Sequence, residues 1–227
     1  MNKCESCVQA IKKMCSRDVS ALNNYQPLEY ILMTSGSYID TGVSLTSGAI
    51  GEMKINILSG PLALGAGAKD DTTSNYNRNY FSFFYDSNLK RYVIGIGAGG
   101  YNNVWTDYTF NTVYTVSFNT PGHSYVLNGT SYTYTGSKWK DARNPPYARW
   151  TWALHGGTNA STGAHTGQDG NVIVYYCKLC DHNGVLKRDL HPMIRKSDNV
   201  VGMYDTVSGA FFTNAGTGEF TVGADIE

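Results

Sequence analysis

From Leu28 onward the chain is cut into short apolar runs by turn-forming residues, and this punctuation narrows its fold more than any other feature. "LEYILMT", "EMKINIL", "NYFSFFYD", "RYVIGIG", "TVYTVSF", "SYVLNG", "SYTYTG", "WTWALHG" and "NVIVYYCKL" are rich in β-branched and aromatic residues, and many alternate polar with apolar. Asn128-Gly129 between two such runs is a two-residue hairpin signal, and His182-Asn183-Gly184 is a second. Short strands joined by turns, with no helical period after residue 24, predict an all-β, two-sheet antiparallel sandwich. Four longer stretches are expected as surface loops: 69–79, 97–108, 138–149 and 156–170.

The first 24 residues read differently. Cys4, Val8, Ile11, Cys15, Val19 and Leu22 fall on one stripe of a short N-terminal α-helix, with Lys3, Glu5, Lys12, Lys13 and Arg17 off it. So short a helix is marginal alone and must dock on its own domain, on a copy of itself or on another protein. The spacing suits a coiled-coil seam from Cys4 to Cys15, and Asp18 then breaks it. Pro27 ends the segment, which divides the chain into a helical appendage over 1–26 and a β domain over 27–227.

Charge argues against a nucleic-acid binder: Lys+Arg and Asp+Glu balance at 18 each, and charged residues make up 16% of the chain. No run of about 18 apolar residues predicts a membrane span. The N-terminus lacks the apolar core of a secretion signal, so synthesis in and release from a cytosol is expected. Five cysteines, at 4, 7, 15, 177 and 180, are an odd count clustered towards the two ends, and free thiols are expected rather than a disulfide framework.

The stretch "GMYDTVSGAFFTNAGTGEF" (202–220) invites comparison with a phosphate loop. Such a loop needs a strand before the glycines and a helix after them, and here a strand-like run follows. The reading is a strand ending in Asp205, whose carboxylate caps the turn "TVSG". A return over "AFFTN" comes next, then a second turn at "AGTG" and a last strand over "EFTVG".

Taken together, "LEYILMTSGSYIDTGV" near the start and "LKRDLHPMIRKSDNVVGMYDTVSGAFFTNAGTGEFTVG" at the end resemble the laminin-G-like group of the concanavalin-A-like jelly rolls. This group occurs in phage structural proteins and in surface proteins of gut bacteria. Ser37-Tyr38-Ile39-Asp40-Thr41-Gly42 carries the first motif; Arg188-Asp189, Pro192 and Gly202-Met203-Tyr204-Asp205 carry the second. Leu190-His191 and the cysteine-bearing N-terminus depart from the pattern. The resemblance covers residues 27–223 and implies a jelly roll whose first and last strands lie side by side.

Glycoside hydrolysis needs two carboxyl groups facing each other across a sugar. The chain has only Glu5, Glu29, Glu52, Glu219 and Glu227, without the strand signature of the glucanases on this fold, so no catalytic residue is assigned and no enzyme is expected. Cys4-x-x-Cys7 and Cys177-x-x-Cys180 could together supply zinc thiolates. In an extended strand, however, Cys177 and Cys180 face opposite sides, and buried thiols are the better reading. No cofactor is assigned; Asp70, Asp71 and Asp169 are the calcium candidates, since laminin-G-like domains often hold a rim calcium. Glycan binding draws on aromatic and amide-rich loops: Tyr101, Asn102, Asn103, Trp105, Asp107 and Tyr108 in one, Trp139, Tyr147 and Trp150 bordering another. The five histidines form no metal or nucleophile pattern.

The expected function is therefore a non-enzymatic phage virion component: a head fibre, decoration or tail-associated protein. The β domain would be displayed and able to bind glycans. The helix would mount it on other virion proteins or join copies into a homo-oligomer, with a trimer as one form. No nucleic acid or membrane partner is expected. A carbohydrate-binding surface or secreted module of a gut bacterium is the alternative.

Overall fold

The computed structural model describes residues 23–44, 49–59, 62–69, 80–86, 91–97, 103–106, 109–119, 121–122, 124–133, 151–159, 164–167 and 169–223. The helix expected over 1–26, with its stripe of Cys4, Val8, Ile11, Cys15, Val19 and Leu22, lies outside them up to residue 22. At the joint that follows it, Tyr25–Pro27 is a strand.

All the regular structure described is β. In chain order the strands are β1 (Tyr25–Pro27), β2 (Ile31–Met33), β3 (Ile39–Ser44), β4 (Ala49–Ser59), β5 (Leu62–Lys69), β6 (Tyr80–Asp86) and β7 (Arg91–Gly97). There follow β8 (Asn103–Thr106), β9 (Val113–Asn119), β10 (Ser124–Leu127), β11 (Thr130–Thr133), β12 (Thr151–Leu154), β13 (Gly156–Asn159) and β14 (His165–Gly167). The chain closes with β15 (Asn171–Asp181), β16 (Leu186–Arg195), β17 (Val200–Asp205), β18 (Phe211–Phe212) and β19 (Phe220–Val222).

The larger sheet runs β11-β10-β9-β4-β15-β16-β17-β18, with β1 beside β16 and β2 between β15 and β19. The smaller runs β14-β13-β5-β6-β7-β8, with β12 bridging β5 and β3. Pairing is antiparallel except between β13 and β5. Alternation builds the core from one face of each sheet. Met53, Ile55 and Ile57 of β4, Val172 and Val174 of β15, and Val116 and Phe118 of β9 meet Ile39, Trp152 and Leu154 across the interface. The Phe118 and Trp152 rings stack with centroids 5.6 Å apart, joining the two sheets in a sandwich-like arrangement.

Both hairpin signals form hairpins. Asn128 and Gly129 take φ of 47° and 84° between β10 and β11, the left-handed pair that a two-residue turn requires. Gly184, at φ 80°, turns β15 into β16, with Asp181 Oδ1 accepting the N–H groups of Asn183 and Val185.

Two stretches expected as loops contain strands. Residues 97–108 hold β8, paired with β7, and residues 156–170 hold the β13–β14 hairpin. Glycine and threonine mask the strand signal of β13 and β14, because backbone pairing needs no apolar side chain.

Candidate functional site

The terminal motifs meet. Ala215 N–H donates to Tyr38 O, Thr217 N–H to Gly36 O and Gly223 N–H to Tyr30 O, while β19 pairs with β2. Asn214 Oδ1 accepts from Tyr38 N–H and Gly216 N–H, so one amide side chain fixes both segments. "AGTG" bends the chain between β18 and β19, as the sequence predicts, and its glycines have a second reason to be there. Gly216 and Gly218 press against the backbone of Ser35–Ser37, and a Cβ on Gly218 would fall 2.2 Å from Ser35 O. The glycines are there for close approach.

Asp205 caps its turn as expected. The N–H groups of Val207 and Ser208 donate to its carboxylate, as does the Ser208 hydroxyl at 2.5 Å, and its Oδ1 also accepts from Asp189 N–H at 2.8 Å. Arg188 lies 3.7 Å from the wholly buried Asp205 carboxylate, donates Nε–H to Thr41 O, and packs over the Phe212 ring. The RD and YD dipeptides therefore form one buried charge network that joins β16, β17 and β3.

A second cluster joins β3, β12 and β14. The Thr151 hydroxyl donates to Asp40 Oδ1 at 2.6 Å, and His165 Nε2 lies 2.8 Å from Thr151 Oγ1 and 3.4 Å from Asp40 Oδ2. Burial acts to raise the Asp40 pKa, but the hydrogen bonds from His165, Thr151 and Gly42 N–H outweigh it and hold the carboxyl at about 2. These two contacts of His165 fall on one ring nitrogen, its ring lies 5.8 Å from that of Tyr38, and together they tie β3, β12 and β14 to one another. Beside it, His155 sits at φ 53° with no exposed surface, its Nδ1 2.9 Å from Ser37 O; burial pulls its pKa down to about 4.

The outward face of the larger sheet carries a third group, which the sequence did not reveal. The register shifts between Val174 and Tyr176, so a bulge in β15 leaves the consecutive residues Tyr175 and Tyr176 both half-buried between core-facing Val174 and Cys177. Tyr176 OH donates to Glu52 Oε1 at 2.8 Å and Ser117 Oγ to Glu52 Oε2 at 2.9 Å. Burial, then the Glu52 carboxylate, pushes the Tyr176 phenol up. Lys54 lies over the Tyr175 ring, which Tyr30 meets edge-on. Register sets Glu52 opposite Lys178 and Lys178 opposite Asp189. The Asp189 carboxylate is wholly buried; His191 Nε2 approaches it at 2.9 Å without hydrogen-bond alignment. Burial acts to raise the Asp189 pKa, but His191, Lys178 and Thr206 outweigh it and lower it.

Of the expected glycan residues, Tyr101, Asn102, Asp107, Tyr108, Trp139 and Tyr147 lie outside the described residues, as does Trp150. Asn103 and Trp105 lie on β8 rather than in a loop. Asp70 and Asp71 are likewise outside. Asp169 is exposed, accepting from Ser35 Oγ at 3.2 Å, and among the described residues no three metal-ligating side chains converge. Cys4, Cys7 and Cys15 are outside; Cys177 is buried in the core and Cys180 half-buried on the other face, both as free thiols.

Strand directions order the ends of the molecule. Lys69 pairs with Asn159, Tyr80 with Gly97, and Gly95 with Asn103, so Lys69, Tyr80, Gly97, Asn103 and Asn159 all lie at one end of the smaller sheet. Thr151, the first residue of β12, lies at that same end, because Ala153 pairs with Gly65 two residues further in. Asn23 and Asn24 sit at the opposite end, bonded to Lys196 beyond β16.

A scan against models of known protein families finds no match, and a search of curated proteins finds none either.

Proposed function

We propose that this chain is a non-catalytic display module of the laminin-G-like jelly-roll class, a phage virion component mounted through its N-terminal segment and able to bind glycans. One observation carries the reading. Asn23 and Asn24 lie at one end of the sandwich, and Lys69, Tyr80, Gly97, Asn103, Thr151 and Asn159, where strands of the smaller sheet begin or end, lie at the other. An N-terminal tether at the first end and connecting segments at the second suit a domain held away from a particle. The motif resemblance supports the class, and the Arg188–Asp205 network and the Asp40–Thr151–His165 cluster serve to close the fold.

Mass spectrometry of purified phage particles tests the reading, with the chain expected in stoichiometric amount. Deleting residues 1–22 should leave a folded domain while lowering oligomeric state or abolishing attachment. Absence from the particles, or normal attachment after the deletion, would overturn it.

A further inference from the structure

We infer that the outward face of the larger sheet, centred on Tyr176, Glu52 and Lys178, is a recognition surface for a neutral glycan. The inference rests on the glycan-binding part of the proposed function but moves the contact from the loops to a sheet face.

The bulge in β15 is the first observation. In a regular strand Tyr175 and Tyr176 would point to opposite faces, and one ring would fill the core. The inserted residue instead leaves both half-buried, between Val174 and Cys177, which keep the core side. Bulges re-aim side chains in this way and collect beside functional sites.

The second observation is the order of polar groups across the strands. Register places Ser117, Glu52, Lys178 and Asp189 in one row over β9, β4, β15 and β16. Glu52 is held by one hydroxyl on each oxygen, from Ser117 and Tyr176, which fixes its direction and leaves lone pairs for further donors. The Lys178 ammonium, 5.9 Å from the Tyr176 ring centroid, is a donor beside this acceptor. An acceptor next to a donor on a preorganised frame matches a vicinal diol, whose hydroxyls both give and take hydrogen bonds. Aromatic rings offer flat surface to the C–H faces of a sugar.

The composition of the face selects the ligand class. Glu52, with the exposed Glu29 beside Tyr175, offsets Lys54 and Lys178, so the face carries no excess charge to favour an acidic chain. A protein partner usually needs an apolar centre. Among the described residues the large exposed aliphatics are Val113, Val185, Leu186, Val207 and Val222, at strand ends or in turns. A neutral, hydroxyl-rich chain fits best.

The test uses the full-length chain on a printed array of neutral and acidic oligosaccharides, followed by calorimetric titration with the best neutral hit. Glu52→Gln and Lys178→Met are each expected to weaken binding at least tenfold, and Tyr176→Phe several-fold. Thermal melts check that each variant is folded, and Trp105→Ala on β8 is the arm that tests the loop site instead. Undiminished binding by folded Glu52→Gln and Lys178→Met would overturn the inference, as would hits confined to acidic glycans. Loss only with Trp105→Ala would also overturn it while leaving a glycan-binding display module intact. No hits at all would remove the glycan reading altogether, while mounting on the particle stands or falls separately by mass spectrometry.

Discussion

Gly216 lies so close to Gly36 that a Cβ on the former would fall 2.0 Å from the carbonyl oxygen of the latter. The obstructing atom is backbone, which cannot rotate aside. Gly216→Ala should therefore destabilise the domain by about 1–3 kcal/mol or more through overpacking alone. Urea denaturation checks this. Gly129→Ala is the comparison, because its Cβ would meet nothing within 4 Å and only its φ of 84° is strained.

The Asp205 carboxylate has no exposed surface and accepts from Ser208 Oγ, from the N–H groups of Asp189, Val207 and Ser208, and faces Arg188. Asp205→Ala leaves those donors and a cation without their acceptor, a loss of about 3–5 kcal/mol. Asp205→Asn keeps one acceptor oxygen and should lose less. Equal loss in the two variants, measured by chemical denaturation, would show that charge rather than capping dominates.

Removing the His191 ring should expose the cost of the Asp189 carboxylate, which is fully buried 2.9 Å from it. His191→Leu is expected to cost several kcal/mol, of the order seen when one member of a buried pair is deleted. Asp189→Asn in the same background should restore part of it, and a double-mutant cycle reads the coupling.

Acid should destabilise the protein in two stages. His155 has its pKa pulled from 6.5 to about 4 by burial, with the Ser37 carbonyl only partly opposing. Between those values the unfolded chain binds the extra proton. Stability therefore falls as pH drops from 6.5 to 4, by about 3 kcal/mol in all. Asp40, held at about 2 against an ordinary 3.8, contributes stability that is present above 3.8 and lost as pH falls towards 2. His155→Asn, which tolerates a φ of 53°, should flatten the upper stage and leave the lower. Denaturation midpoints across pH 2–7 measure both.

Cys177 should resist alkylation in the native protein. Burial, with the Asp189 charge nearby, pushes its thiol up to about 12, so almost none is thiolate near neutrality. Maleimide labelling with mass mapping should modify Cys177 only in denaturant, and labelling of the folded protein would contradict its place in the core.

Much of the larger sheet was legible because its signals are local. Asn128-Gly129 needs two left-handed residues, Asp205 precedes a turn with free N–H groups, and Cys177 and Cys180 are three residues apart on a strand. What escaped depends on distant partners. Nothing in "IVYYCKL" marks a bulge, since either tyrosine could fill a core. Asp40, Thr151 and His165 come from three strands and share no spacing. β13 and β14 are glycine- and threonine-rich, so pairing alone makes them strands. The glycines at 216 and 218 looked like turn formers because the Ser35–Ser37 backbone that they accommodate is some 180 residues away in sequence.

The hydrogen bonds between residues 30–38 and 214–223 also impose an order on biosynthesis. β2 is among the first strands made, and one of its edges is covered only by β19. On the ribosome that edge must wait, together with the seats for Gly216 and Gly218, until nearly two hundred further residues have been added. The sandwich can then close as a late, single event, and any chain that stops short of residue 223 keeps an open strand edge able to capture a neighbour.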